Sequence, residues 1–229
     1  MEQPERHEEP DLLHYYCSSS TLLSIVKNRA LWLTALTLSN DGMEGRWAIN
    51  RYLDLFKRED RRASIGAKSI LEHAVDARVA LGICLSREQD LLSQWRGYAA
   101  GGRGICISFR VSHLKTAVER LRKDLPKLSL AKVDYPAFLD PATVKAIHEE
   151  FGPQIDQAQQ GGEGDFISMS KDYGNGGHDR ETLMVGRFFA LKNPAFSEER
   201  EWRLILVDYP SSIPNLKFRE SNSLIPTAR

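Results

Sequence analysis

Residues 79–109 decide the fold: Val79-Ala-Leu-Gly-Ile-Cys-Leu85, then Asp90–Tyr98, Gly101-Gly-Arg-Gly104 and Ile105-Cys-Ile-Ser-Phe109. The first and last of these segments are short apolar runs, which are typical of buried strands. The segment after Leu85 has the pattern of a short helix that carries Trp95 and Tyr98, and it ends at a glycine-rich turn. Two strands joined by a helix and a glycine turn predict a sheet that wraps around a cleft.

Further elements are predicted on both sides of this stretch. Strands are predicted at Leu12–Cys17, Ala30–Thr34, Val133–Phe138 and Glu201–Val207, with a short edge strand after Lys217. Helices are predicted at Thr21–Asn28, in most of 46–80, and at 112–125, 141–159 and Thr182–Leu191. Ser18 to Ser20 are suited to cap the first helix. The glycine-rich, polar residues 160–179 predict a mobile loop.

These patterns predict an α+β fold with one principal domain. The length of 229 residues favours a single domain over two. Residues 1–10 are acidic and polar and are predicted to form a flexible N-terminal tail. Residues 11–229 are predicted to form one α+β domain, with a helical insertion at about 111–181.

Composition excludes several classes of function. Lys+Arg and Asp+Glu each number 31, so the formal net charge is zero, which disfavours a protein that coats nucleic-acid backbone. No apolar run approaches the length of a membrane span, and the acidic start is not a secretory signal. Three separated cysteines favour a reducing cytoplasm. No HExxH metal motif and no glycine-rich phosphate loop occurs, so neither a metal nor a nucleoside triphosphate is expected.

Five short pieces carry a family resemblance. They are Leu13-His14-Tyr15; Leu31-Trp32-Leu33 with Ser39-Asn-Asp-Gly-Met-Glu44; Cys84-Leu-Ser86 with Leu92-Ser-Gln-Trp-Arg-Gly-Tyr98 and Gly104-Ile-Cys-Ile-Ser-Phe109; Leu191-Lys192 with Ser197-Glu-Glu-Arg-Glu-Trp-Arg203; and Phe218-Arg219 with Leu224-Ile-Pro226. In this order and spacing they resemble the bacterial family called domain of unknown function 2971. The resemblance covers about residues 12–226.

That family in turn resembles the ADP-ribosyltransferase fold. The resemblance implies a split, twisted, mostly antiparallel sheet with flanking helices, and NAD held as the substrate in the cleft. ADP-ribosyltransferases place His or Arg on the first strand, Ser, Thr or Tyr on a middle strand, and Glu on a late strand. The matching positions are His14, Ser86 and Glu201.

The resemblance also implies roles for the charged residues of the late strand. Cleavage of the nicotinamide–ribose bond passes through an oxocarbenium-like ribose, and Glu201 would stabilise it. Glu199 would orient or deprotonate an acceptor. Arg203 would hold a carboxylate or the NAD pyrophosphate. Since alternate residues of a regular strand share a face, these three side chains are expected on one face.

The remaining site residues are assigned to NAD binding. His14 would bond ribose hydroxyls, and Ser86 would position Glu201 or the carboxamide. Tyr15, Trp95 or Tyr98 would stack on nicotinamide or adenine. Asn40 and Asp41, in the turn that precedes Glu44, complete this set.

A purely structural role is the competing interpretation for every one of these residues. Glu199, Glu201 and Arg203 also fit a ladder of surface charges. His14, Trp95 and Tyr98 also fit core positions with satisfied contacts, Ser86 also fits an ordinary strand end, and Asn40 and Asp41 also fit a turn that caps the next helix.

Three functions follow from the resemblance. The first is an NAD-dependent ADP-ribosyltransferase, as a toxin or phage-defence effector, that modifies a protein or a nucleic acid. The second is another reaction on the same fold, either NAD hydrolysis or transfer from a phosphorylated nucleic-acid end. The third is a non-catalytic module that binds a nucleotide or a partner. No membrane partner is expected, and the acceptor is not readable from the sequence.

Overall fold

The structure, a computed structural model, describes residues 9–38, 42–56, 61–159, 175–220 and 224–228. The strands in these ranges are β1 (Leu12–Cys17), β2 (Leu33–Ala35), β3 (Val79–Ser86), β4 (Ile105–Arg110), β5 (Ser129–Lys132), β6 (Glu201–Asp208), β7 (Lys217–Glu220) and β8 (Leu224–Ala228). The α-helices are α1 (Ser19–Asn28), α2 (Trp47–Leu53), α3 (Arg61–Asp76), α4 (Leu92–Tyr98), α5 (Val111–Leu121), α6 (Pro141–Gln159) and α7 (Asn175–Phe188). A 3₁₀ helix, Pro194–Glu199, precedes β6.

The strands pair antiparallel in one sheet, with β3 at its centre. One edge of β3 pairs along its whole length with β6, and β5 lies beyond β6. The opposite edge is shared, because β1 pairs at Ser86 whereas β2 pairs at Leu81 and Gly82. β1 continues to β4, and β2 continues to β8 and then β7. The predicted α+β class with a split, mostly antiparallel sheet is therefore confirmed.

β3 is central because its side chains are buried on both faces. Ala80 joins a core with residues of α2, α3, α6 and α7, whereas Leu81, Ile83 and Leu85 join a second core with residues of α5. An apolar run such as this one is typical of a strand covered on both sides. Gly82 leaves room for its neighbours, since a Cβ there would lie 2.8 Å from the carbonyl oxygen of Leu204.

Several predicted elements differ from the structure. The strand predicted at Val133–Phe138 is wrong, because the strand is β5 and the chain beyond it makes only an isolated bridge from Asp134 to Leu191. Pro136 has no N–H to donate to a ladder, which disfavours a strand there. The insertion predicted at 111–181 is not wholly helical, since β5 lies in it and pairs with β6.

The other differences concern element bounds. The strand predicted at Ala30–Thr34 is observed as β2, three residues further along at its start. The helix predicted from Thr182 begins at Asn175, so the predicted loop at 160–179 overlaps the first turn of α7. The rest of that loop prediction, at 160–174, lies outside the described residues, as does the predicted tail up to residue 8.

Candidate functional site

Three residues predicted for the site form one row across the sheet. His14 of β1 lies opposite Ser86 of β3, and Ser86 lies opposite Glu201 of β6. On the other side of β1, Ser108 of β4 lies opposite His14 and extends the row. Directly opposed residues of antiparallel strands point to the same face, so these four side chains share one face of the sheet.

A buried arginine is at the centre of a charged cluster beside this row. The Arg203 side chain is inaccessible to solvent. Its Nε donates to Glu201 Oε1 at 2.6 Å, and its Nη2 donates to Glu201 Oε2 at 2.8 Å. The two Nη atoms also donate to the Glu44 carboxylate at 2.7 Å, and Nη1 donates to the Phe189 carbonyl at 2.8 Å. All five guanidinium N–H groups thus have a partner, which offsets the cost of burying this charge.

Lys192 adds a second cation to the cluster. Its Nζ lies 2.7 Å from Glu199 Oε2, 3.2 Å from Glu201 Oε2 and 3.7 Å from Glu44 Oε1. The same ammonium lies 4.7 Å from the centre of the Phe196 ring. Burial acts to lower the pKa of Lys192, but the carboxylates raise it above its ordinary value, so this lysine is charged. The charged cluster, defined as Glu44, Lys192, Glu199, Glu201 and Arg203, contains three acidic and two basic side chains.

The two glutamates proposed for catalysis differ in their titration. Burial acts to raise the pKa of Glu201, but Arg203 outweighs it and the pKa falls below its ordinary value. Burial also raises the pKa of Glu199. Lys192 acts to lower this pKa, but its effect is smaller, so the pKa of Glu199 stays above its ordinary value. The Glu199 side chain is 12% exposed, against 6% for Glu201. Of this pair, Glu199 is therefore the carboxyl group that takes up a proton more readily.

Glu199 does not lie on the strand, which corrects the expectation that Glu199, Glu201 and Arg203 share one strand face. Glu199 ends the 3₁₀ helix, Arg200 adopts a left-handed backbone with φ of 42°, and β6 begins at Glu201. The Glu199 side chain reaches the charged cluster through Lys192 instead. Only Glu201 and Arg203 have the expected strand spacing on one face.

Ser86 holds the segment that leads into β6. Its Oγ donates to the Glu199 carbonyl at 2.8 Å and accepts from the Glu88 amide at 3.0 Å. Ser86 was expected to position Glu201 or the carboxamide of NAD, and in the described residues its hydroxyl bonds the backbone next to Glu201. Ser86 therefore positions the backbone of Glu199, two residues before Glu201.

His14 is buried and held by one neighbour in the row. A hydrogen bond of 2.9 Å joins its Nδ1 to Ser108 Oγ. Burial lowers the pKa of His14, and Glu88 opposes this effect in part. His14 is therefore neutral at physiological pH, with its ring orientation fixed by Ser108.

Of the aromatic residues predicted for NAD binding, Tyr98 lies beside the charged cluster, whereas Trp95 and Tyr15 lie away from it. Tyr98 borders the charged cluster, and burial together with Glu199 raises its pKa to about 12. Trp95 packs edge-on against Tyr16, with the ring centroids 5.1 Å apart, and donates its Nε1–H to Asp90. These contacts attach α4 to β1. Tyr15 follows His14 on β1 and points to the opposite face of the sheet. Asn40 and Asp41 lie outside the described residues.

Sequence reasoning missed four residues of this region. Glu44 and Lys192 occur in the family motifs, but no site role was assigned to them. Tyr135 accepts a hydrogen bond from the Glu201 amide at 3.1 Å, and Ser108 orients His14. For Lys192, the available signal was its position directly after the apolar run Phe188-Phe-Ala-Leu191. A charged residue in such a place needs a buried partner.

The described residues show no group of three or more His, Cys, Asp or Glu side chains arranged to hold a metal ion. Among the same residues, no helix combines the length and the apolar character that crossing a membrane requires.

Comparisons with known proteins identify a family but no named activity. No curated protein and no solved structure matches the chain. One family model, described as "Protein of unknown function (DUF2971)", matches residues 94–204. This range contains Tyr98, Lys192, Glu199, Glu201 and Arg203, and thus most of the charged cluster. Residues 94–204 thus match the DUF2971 family, which the five sequence motifs resemble.

Proposed function

We propose that the chain is an ADP-ribosyltransferase-like enzyme that cleaves the nicotinamide–ribose bond of NAD in the cytoplasm and modifies a macromolecule. The observation that carries this proposal is the row of His14, Ser86 and Glu201 on three adjacent strands. Glu199 is held at the end of this row, because Ser86 binds its carbonyl and Lys192 contacts both glutamates. ADP-ribosyltransferases, which the sequence resembles, use this order of residue types on a first, a middle and a late strand. The chain brings these side chains together from positions separated by 72 and 115 residues in sequence.

The contacts of the glutamates support a division of roles. Both oxygens of Glu201 accept from Arg203, and Lys192 lies beside one of them, so this carboxylate is already neutralised. Glu199 makes one ion pair and is the more exposed of the two. We therefore assign the reacting carboxyl group to Glu199, and we assign Glu201 as a positioning residue that acts through Lys192 and Arg203.

In this mechanism the bond between ribose C1′ and the nicotinamide nitrogen breaks, and its electron pair leaves with nicotinamide. The Glu199 carboxylate stabilises the positive charge that develops on the ribose. An acceptor nucleophile then bonds to C1′ and gives its proton to Glu199, whose raised pKa suits it to act as a base. His14, oriented by Ser108, bonds the ribose hydroxyls, and Tyr98 packs against the nicotinamide ring.

A non-catalytic nucleotide-binding module is the second candidate. The observation that favours it is the complete pairing of Arg203 and Glu201 inside the fold, which is the arrangement of a structural ion pair. The two candidates differ in one measurable property, because a module binds NAD without releasing nicotinamide.

The test is nicotinamide release from NAD by the purified chain and two matched variants. We expect Glu199→Gln to lower turnover by at least about 100-fold while its thermal midpoint stays close to that of the parent. Glu198→Gln, at an exposed position in the same 3₁₀ helix, should keep full activity. Equal activity of both variants would contradict the assignment of Glu199.

The products distinguish the remaining reactions. NAD labelled in its adenylate part should yield a labelled protein or nucleic acid when the chain is a transferase. Nicotinamide release with free ADP-ribose as the only other product would indicate NAD hydrolysis. Labelling that starts from a phosphorylated nucleic-acid end, without NAD, would indicate the end-transfer reaction. Saturable stabilisation by NAD without any turnover would indicate the binding module.

A further inference from the structure

A cavity of about 420 Å³ lies where β1 and β2 separate along the edge of β3. Its walls come from all three strands, from α1 and from the segment before β2. The lining residues are Tyr15, Ser20, Thr21, Ser24, Ile25, Leu31, Trp32, Thr34 and Ile83. The split of the sheet thus creates a concave site that is distinct from the charged cluster.

The cavity and the charged cluster lie on opposite faces of the sheet. Ile83 lines the cavity, and the next residue, Cys84, lies opposite Arg203 on the face of the charged cluster. In the same way, Tyr15 follows His14 on β1. Adjacent residues of a strand point to opposite faces, so a ligand in this cavity does not contact Glu199 or Glu201 from the same side.

The lining is uncharged and combines hydroxyl groups with aromatic rings. Ser20, Thr21 and Ser24 of α1 bring three hydroxyl groups to the lining. Thr34 lies opposite Gly82, so its side chain points to the other face of the sheet and only its backbone borders the cavity. Some of these hydroxyls already have partners, as Ser20 has with Ser18 at 2.8 Å, but each has one donor and two acceptor sites and can bond further. Tyr15 and Trp32 add two aromatic rings, and Ile25, Leu31 and Ile83 add apolar surface.

We propose that this cavity binds an uncharged nucleoside. A nucleobase is planar and packs on the aromatic and aliphatic walls, whereas the ribose hydroxyls bond the Ser and Thr side chains. A phosphate group would lose its hydration there without meeting a cation, which disfavours nucleotides. The volume is in the lower part of the usual range for ligand sites, roughly 300–1,000 Å³, and suits one nucleoside. This proposal does not rest on the NAD reaction.

The test is isothermal titration of the full chain with adenosine, uridine and AMP. We expect adenosine or uridine to bind with a dissociation constant between about 10 μM and 1 mM, and AMP at least 10-fold more weakly than adenosine. Absence of binding by both nucleosides at millimolar concentration would overturn the proposal, as would tighter binding of AMP than of adenosine.

Two substitutions on α1 locate the site. Ser24→Phe fills the cavity and should abolish nucleoside binding, whereas Val26→Phe adds the same ring at a position that is 64% exposed and should leave binding unchanged. If Ser24→Phe does not fold, as judged by circular dichroism, Trp32→Ala provides the second variant and should weaken binding at least 10-fold. Binding that survives both Ser24→Phe and Trp32→Ala would overturn the location. Because nicotinamide release is measured separately, failure of this site and failure of the proposed reaction are distinguishable.

Discussion

Arg203 and Glu44 are 159 positions apart in the chain, yet two hydrogen bonds of 2.7 Å join their side chains. The pair connects the turn before α2 to the strand β6. Since Arg203 also binds Glu201, one guanidinium links two carboxylates and fixes the segment that contains Glu44 against the sheet. The charged cluster is therefore a part of the fold as well as a candidate site.

Removal of this guanidinium should destabilise the protein strongly. Arg203→Met leaves Glu44 and Glu201 buried without their main partner, and we expect a loss of about 3–5 kcal/mol in the free energy of unfolding. Urea titration followed by circular dichroism measures this loss. Arg200→Met is the control, because the Arg200–Glu88 pair is exposed and should contribute less than about 1 kcal/mol. Similar losses for the two variants would show that the buried pairs do not stabilise the fold.

Glu199 should make stability fall as pH rises through its titration. Its pKa is raised in the folded state above the ordinary 4.5, so the folded state binds the proton more tightly than the unfolded state. By linkage, stability falls from about pH 4.5 upward, until the pH exceeds the raised pKa. Glu199→Gln should remove this part of the pH dependence, whereas Glu198→Gln should leave it in place. The free energy of unfolding, measured across this pH range, tests the prediction. The same pH dependence in Glu199→Gln and Glu198→Gln would exclude a contribution from Glu199.

Glu201 should have the opposite pH dependence. Its pKa is lowered by Arg203 below the ordinary 4.5, so it stabilises the fold above that pH. The contribution is lost as pH falls through the lowered pKa, because the protonated side chain no longer pairs with Arg203. Glu201→Gln should therefore be less stable than the parent at neutral pH, and the difference should shrink in acid. A difference that stays constant from about pH 7 to pH 2 would mean that the charge of Glu201 is not the cause.

Much of the sheet was predictable from local sequence. Leu12–Cys17, Val79–Leu85, Ile105–Phe109 and Glu201–Val207 were each predicted as strands, and each is one within a residue at either end. These segments are apolar and lie between polar turns, so the local pattern is sufficient. β5 was missed because Ser129-Leu-Ala-Lys132 is short and has no β-branched residue, and its pairing with β6 is a tertiary effect.

The row of His14, Ser86 and Glu201 was predictable from the sequence, but the ion pairs of the charged cluster were not. The order of His14, Ser86 and Glu201 came from motifs, and the strands bring them into one register. The partners of Arg203 were not predictable, because nothing near residue 203 in sequence indicates Glu44. The position of Glu199 depends on the left-handed conformation of Arg200, which interrupts the alternation that the strand pattern implied.

The glycine turn that joins α4 to β4 offers a matched pair of substitutions. A Cβ at Gly104 would collide with the backbone oxygen of Cys17 and with backbone atoms of Ala99, whereas a Cβ at Gly97 would meet nothing within 4 Å. Gly104→Ala should therefore lower the free energy of unfolding by about 1–3 kcal/mol, because the backbone must move to accept the methyl group. Gly97→Ala lies inside α4 and should raise it by about 0.5–1 kcal/mol, since alanine loses less entropy in a helix.

Chemical denaturation of the parent and the two alanine variants measures whether the free energy of unfolding falls in Gly104→Ala and rises in Gly97→Ala. Gly104 leads directly into β4, which pairs with β1 along Leu12–Cys17, so the displacement at Gly104 should also disturb the hydrogen bond between His14 and Ser108. The His14 ring resonances in an NMR titration should then shift in Gly104→Ala and stay unchanged in Gly97→Ala. If Gly104→Ala were as stable as the parent and left His14 unaffected, the close approach at Cys17 would not constrain the fold, and the turn would not be what holds β1 and β4 in register at the site.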